Sequence, residues 1–284
     1  MGNFSALVVV FLSYYLLYAY FSPKKQPALL YASWLGLSLH HGIAVTNAFI
    51  IPVSNTWGDP YTFHNFAAGI WVSTRQPYAT FLGYIYKLLG VSFWLGEECS
   101  VLAFALSTIL LAETAKLLQM ERRLLPALVV FGLMPSPAIH CSVTLRESYQ
   151  VFGFLGTIYS LLRLRAAPVW WCFPLLSLSL ACVVIMHQGL ALFAVAALLV
   201  GLPWAMQGRG QYPAVLALTL ITSSPLLLRK MLEKLEKSSS AVRAISEGRM
   251  MEYAATYRDN IEQARSDYGV SIEQGDFLSF SSSV

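Results

Sequence analysis

Charge is what this chain has least of: only 12% of its 284 residues are Asp, Glu, Lys or Arg, against about 25% in an ordinary soluble domain. Too few charges remain to solvate a globule of this size. Short segments of alternating polarity, which a membrane β-barrel requires, are lacking as well. No GxSxG, HExxH, Walker or GxGxxG element stands in a fitting context, which weakens hydrolase, zincin and nucleotide-driven pump readings. There is no internal repeat of fixed period. The four cysteines, Cys99, Cys141, Cys172 and Cys182, lack the CxxC-type spacing of a zinc site or thioredoxin-like centre. Buried free thiols are expected, with a Cys99–Cys141 disulfide left open if the face they share is oxidising.

What the chain does have is apolar sequence in long blocks. Hydrophobic residues make up 56% of it and the mean hydropathy is +0.57. The blocks 4–21, 28–53, 101–118, 175–186 and 190–202 approach the ~20 residues that cross a hydrocarbon core as a helix. The first block resembles the apolar part of a signal peptide. It has no preceding basic stretch and no clear small-residue cleavage site, however, and Lys24-Lys25 follows it, so it is read as a retained span. The formal net charge of +4 comes from Lys and Arg placed singly or in pairs at block ends. Such placement sets membrane topology and gives no sign of nucleic-acid binding.

Putting Lys24, Lys25, Lys116, Arg122, Arg123, Arg163, Arg165 and Arg209 on the cytoplasmic side yields a consistent path. The N-terminus lies outside, and spans fall at 4–22, 27–53, 98–118, 124–140, 148–164, 168–186, 189–206 and 211–228. The expected fold is therefore all-α, a polytopic transmembrane helix bundle of about eight spans over 1–228. A polar tail follows at 229–284. Three stretches face outward: a long loop at 54–97, a short one at 140–147, and the tail.

The long loop carries its own helical signals. Asp59-Pro60 reads as an N-cap followed by Pro at the first helical position. Phe63, Phe66, Ala67, Ile70 and Trp71 then mark one helical face. A second helix follows Gln76-Pro77, with Tyr78, Phe81, Leu82, Ile85, Leu88 and Leu89 on one stripe. Two helices of this kind lie in the membrane interface as a structured cap. The tail is charged at Arg229-Lys230, Lys234 and Lys237, is broken by Ser238–Ser240, and holds a polar helix candidate at 247–265. With no further apolar span, the chain either closes with a soluble tail or is a truncated reading frame.

Few residues in the outer stretches can carry chemistry. Asp59, at the lip of the second span, can take a proton from a hydroxyl or bind a divalent cation, and it can equally be a plain helix cap. His64, one turn after Pro60, can assist Asp59 or bind phosphate; the alternative is a surface hydrogen-bonding residue. Arg146 and Glu147 are the only charges of the short loop. A guanidinium there, with His140 near it, suits a phosphate or pyrophosphate, against the plainer option of an Arg–Glu pair that fixes the loop. His187, at an outer turn, can reach the same face or cap a helix end. His40 and His41 fall mid-span, where interhelical hydrogen bonds are their expected role. Lys87, Glu97 and Glu98 are read as interfacial anchors.

The segment 51–165 resembles the polytopic GT-C glycosyltransferases, which use polyprenyl-phosphate-linked sugars. The residues that carry the likeness are Asp59-Pro-Tyr-Thr-Phe-His64, the helix from Gln76 to Gly90, and the turn from Leu133-Met-Pro-Ser-Pro through Leu145-Arg-Glu147. The chain departs from the pattern in having Asp59-Pro60 where many members have Asp-Glu. It also has two spans before the loop and no apolar C-terminal part. The resemblance implies transfer of a sugar from a polyprenyl phosphate to a glycan, lipid or protein acceptor at the non-cytoplasmic face, in a bacterial inner (plasma) membrane. It makes Asp59 the base, or the ligand of a divalent cation such as Mg or Mn, and makes Arg146 the partner of the donor phosphate. His64, His140, Glu147 and His187 are then substrate-binding candidates. Alternatives are an oligosaccharide polymerase or ligase, a transporter or flippase lined by His40 and His41, and a non-catalytic membrane subunit.

Overall fold

The computed structural model describes residues 1–53, 59–70, 77–167, 171–186 and 190–207. His187, Arg209, the expected span 211–228 and the tail 229–284 lie outside the described residues, as does the side chain of Asp59. The described chain is helical, with no strand among its elements: α1 Gly2–Phe21, α2 Pro27–Phe49, α3 Asp59–Ala67, α4 Pro77–Leu89, α5 Phe93–Leu117, α6 Leu124–Leu133, α7 Pro135–His140, α8 Glu147–Ala166, α9 Cys172–Met186, α10 Ala191–Ala196 and α11 Leu202–Ala205. Three helical segments, Gly2–Lys24, Pro27–Phe49 and Phe93–Leu117, are long and apolar enough to cross a membrane.

α1 shows what such a helix needs. It is apolar all round, yet it buries only the stripe Gly2, Ala6, Val9, Ser13, Leu17 and Phe21, spaced three or four residues apart so that all fall near one face. The opposite side presents Phe4, Val8, Phe11 and Tyr15 outward, which suits a helix solvated by lipid rather than water.

Pairwise contacts give the long helices an up-and-down order. Asn3 accepts a hydrogen bond from Ser92 at the start of α5, while Tyr20 reaches Glu113 near its end, so α1 and α5 run in parallel. α2 opposes them, because its C-terminal His41 and Asn47 meet Glu98 and Glu97 at the start of α5. α6 follows α2, with Gly36 against Gly132 and His40 against Ser142 just beyond α7. Tyr149, Gly153 and Gly156 of α8 meet Tyr78, Ser179 and Leu110 in turn, which sets α8 along α5 and opposite α9. The stacked pair Phe154–Phe193 and the contact of Leu161 with Gly201 run α10 and α11 along α8.

Two cores result. Leu17, Leu37, Phe104, Ala105 and Leu128 pack together from α1, α2, α5 and α6. Leu164, Leu176, Leu180, Leu198 and Leu202 form the second core, from α8, α9 and the α10–α11 rod. α2 and α6 approach backbone to backbone: a Cβ on Gly36 would sit 2.8 Å from Gly132 Cα. Small residues at such crossings give the close van der Waals contact that joins helices in lipid.

Three expectations change. The helix expected over 124–140 breaks at Met134, whose backbone is extended (φ −64, ψ 126), because Pro135 disfavours the helical region for the residue before it. The rod from Ala191 to Ala205 is interrupted by a π turn at Ala197–Gly201. Pro203 has no N–H to give the Leu199 carbonyl and its ring crowds that group, so the helix widens there. The span expected to begin at residue 98 begins at Phe93, with Ser92 as its cap accepting from Leu95 N at 3.3 Å, and this takes Glu97 and Glu98 out of the loop and into α5. All four cysteines are free thiols, so the Cys99–Cys141 disulfide is not formed.

Candidate functional site

The two ends of α5 differ in chemistry. Near its C-terminus Glu113 gathers Lys24 at 3.2 Å, Lys116 at 3.1 Å and the Tyr20 hydroxyl, and Lys24 lies 3.1 Å from the centroid of the Tyr20 ring. This is the cationic end of the bundle. Glu98 is 15 residues up the same helix, roughly 22 Å away at about 1.5 Å per residue. There the ionisable side chains are acidic and buried.

Glu97 and Glu98 have side chains with 0% exposure. Glu98 Oε2 is 2.5 Å from His41 Nδ1, and its Oε1 accepts from Trp94 Nε1 at 2.6 Å. Glu97 Oε1 accepts from Asn47 Nδ2, and Asn47 Oδ1 accepts from the Val53 amide at 2.8 Å. These contacts tie α2 to α5 and to the chain that leads into α3. They correct the reading of Glu97 and Glu98 as interfacial anchors. Consecutive helical residues diverge by about 100°, and the two carboxylates use this to engage different partners. Glu97 Oε2 and His41 Nε2 are buried with no hydrogen-bond partner.

Over this end lie α3 and α4. α3 begins at Asp59 with Pro60 as its second residue, the location expected for it. Tyr61 stacks on Phe93 at 4.5 Å between ring centroids, and Phe63 meets Tyr78 edge-on at 5.0 Å. The apolar face of α4 is bound into the bundle: Tyr78, Ala79, Leu82 and Tyr86 are buried, Leu82 and Tyr86 packing with Ala6 and Leu95. His64 is not on a free polar face, as its placement one turn after Pro60 suggested. It is half-buried, shares a 2.8 Å hydrogen bond with the Tyr86 hydroxyl, and stands edge-on to Phe93. Burial holds its pKa below the usual imidazole value. Burial, with Glu97 next in order, pushes the Tyr61 hydroxyl up, and burial does the same to Tyr86.

Arg146 immediately precedes α8 as its N-cap residue. Its side chain is 38% exposed and its Nε lies 3.9 Å from Glu147 Oε1, a loose pair that leaves much of the guanidinium fork open. His140 ends α7 and is exposed. One cluster joins the helix that bears Asp59 to the segment that bears Arg146: Phe63 of α3, Tyr78 and Ala79 of α4, and Val143, Leu145 and Tyr149 pack together. Both therefore belong to the end of the bundle opposite Lys24 and Lys116. His41 makes the interhelical hydrogen bond expected of it, to Glu98 of α5, while His40 bonds Ser142 in the turn that follows α7. The single Ser142 hydroxyl proton goes to Ala138 O, so His40 Nδ1 donates to Ser142 Oγ at 2.9 Å.

Among the described residues no three His, Cys, Asp or Glu side chains converge as metal ligands. Glu97 and Glu98 point to separate partners, so they do not fit a divalent cation as a pair. Sequence reasoning missed the Asn47–Glu97 and His41–Glu98 pairs. The available signal was two adjacent carboxylates one turn inside an apolar run that also opens with a Ser N-cap. No protein-family model, curated protein or solved structure matches the chain.

Proposed function

We propose that this protein is a multi-pass membrane glycosyltransferase that moves a sugar from a polyprenyl-phosphate donor to a glycan, lipid or protein acceptor at the non-cytoplasmic face. In this reading the seven alternating rods described above and the apolar block 211–228 make eight spans of a bacterial inner membrane, and α3 and α4 form the interfacial cap.

The observation that carries the reading is the shared cluster of Phe63, Tyr78 and Tyr149. It supports a single outer site because it ties the helix of Asp59 to the loop of Arg146, remote from the cations Lys24 and Lys116 that mark the inner side. The Asp59 carboxylate takes the proton of the acceptor hydroxyl, and the hydroxyl oxygen forms its bond to the anomeric carbon. The bond from that carbon to the phosphate oxygen breaks, and the electron pair leaves on the polyprenyl phosphate. Arg146, half open beside Glu147, neutralises the departing phosphate with its planar fork. His140, exposed at the end of α7, would add a hydrogen-bond donor. A divalent cation at Asp59 would supply further neutralisation of the phosphate.

The test is a membrane-extract assay with radiolabelled polyprenyl-phosphate sugars. Transfer that disappears in Asp59→Asn with expression intact supports the reading. Activity untouched in Asp59→Asn overturns it, and a stronger effect of His40→Ala would favour transport instead.

A further inference from the structure

Glu97 and Glu98 are neighbours in sequence, yet the bundle treats them differently. Glu98 uses both oxygens: Oε2 faces His41 Nδ1 at 2.5 Å and Oε1 accepts from Trp94 Nε1 at 2.6 Å. Glu97 uses one. Its Oε1 accepts from Asn47 Nδ2, while Oε2 is buried with no hydrogen-bond partner. The residue has 0% exposure, so bulk water does not reach the second oxygen.

Counting charges separates the two carboxyl groups further. The ionisable groups packed around them are His41 on α2, Cys99 on α5, Tyr61 on α3, and Tyr78 and Tyr86 on α4. Beyond these stand His64, bonded to Tyr86, and Glu147, which acts on Tyr78. Only the two imidazoles can turn positive, and His41 is held by Glu98 while His64 is held by the Tyr86 hydroxyl. Among the described residues no Lys or Arg pairs with Glu97. A buried carboxylate without a countercharge costs far more than a buried neutral hydroxyl in the same place, and a second negative charge beside Glu98 adds to that cost.

A metal cation does not meet the need. It takes several oxygens at once, whereas both Glu98 oxygens are engaged and Asn47 Oδ1 already accepts from the Val53 amide at 2.8 Å. A single unused oxygen is satisfied by a single covalent bond to hydrogen.

We propose that Glu97 is a proton-binding site: it carries its carboxyl proton on Oε2 in the folded protein, as a neutral acid beside the Glu98–His41 pair, and that proton keeps α2, α5 and the segment leading to α3 joined. The bonds run from Glu97 through Asn47 to the Val53 amide, so loss of the proton acts where the chain leaves α2 for α3. The site is independent of the glycosyl-transfer reading.

Infrared spectroscopy of the full-length protein at neutral pH, in a detergent free of ester groups, tests this, because the C=O stretch of a carboxylic acid stands apart from amide and carboxylate bands. One acid band is expected, and it should move down in D₂O. Glu97→Gln should remove it, and Glu98→Gln should leave it in place. Asn47→Leu, which takes away the donor to Oε1, should move the band to higher frequency without removing it, and so identifies the carboxyl even where Glu97→Gln fails to fold. Hydrogen exchange reads the coupling: as pH is raised, the Val53 amide should lose protection in the wild-type protein but not in Glu97→Gln, the two being compared at the same pH so that intrinsic exchange cancels. No acid band at neutral pH, a band that survives Glu97→Gln, or one that ignores Asn47→Leu would overturn the proposed site. Equal Val53 protection in the two proteins at every pH would overturn its hold on the segment leading to α3.

Discussion

His41 Nδ1 lies 2.5 Å from Glu98 Oε2, in side chains 9% and 0% exposed, and this pair bolts the C-terminal half of α2 to the first turns of α5. Removing one partner strands the other in a dry interior. Glu98→Leu is therefore expected to cost about 3–5 kcal/mol, whereas Glu98→Gln, which still bonds Trp94 and His41, should cost clearly less. Unfolding in mixed micelles followed by circular dichroism gives both values, and equal losses would count against the pair.

The crossing of α2 and α6 depends on two missing side chains. A Cβ on Gly36 would stand 2.8 Å from Gly132 Cα, and one on Gly132 would stand 2.9 Å from Gly36 Cα. Backbone cannot rotate away as a side chain can. Gly132→Ala should destabilise by about 1–3 kcal/mol, the usual cost of overpacking, with Gly36→Ala similar and the double substitution worse. A melting temperature unchanged in both single variants would contradict the close approach.

Burial lowers the pKa of His64, so the unfolded chain takes up a proton at higher pH than the folded one. Stability therefore rises with pH in the window below the ordinary value of about 6.5, is complete above it, and is lost as pH falls. His64→Gln should flatten that part of the stability–pH curve. Tyr86→Phe, which removes the 2.8 Å partner, should weaken the attachment of α3 by about 1 kcal/mol.

The up-and-down order predicts accessibility. Single cysteines at Lys24 and at Arg146, placed in a background without the native thiols, should react with a membrane-impermeant maleimide from opposite sides of sealed vesicles. Reaction of both from one side would remove the alternating path and the shared outer site together.

Much of the fold was legible locally. Apolar run length located α1, α2 and α5, and Asp59-Pro60 and Gln76-Pro77 marked the starts of α3 and α4 to the residue or nearly so. Proline chemistry was not fully read: the segment 124–140 was taken as one rod although Pro135 lies within it. The reading failed most clearly at Glu97 and Glu98. Their neighbours along the chain resemble a loop edge, and the partners that bury them, Asn47 and His41, are 50 and 57 positions away.

By itself the sequence determined that this is a chain of apolar helices and where most of them begin. In lipid each backbone N–H and C=O must be satisfied within its own segment, so composition over about 20 residues is enough to decide. Only the tertiary structure decided which polar groups meet: Glu98 with His41, Glu97 with Asn47, and Phe63 with the segment before α8. Those encounters depend on helix order, rotation and tilt, which arise from packing between distant segments and leave no periodic trace in the residues that take part.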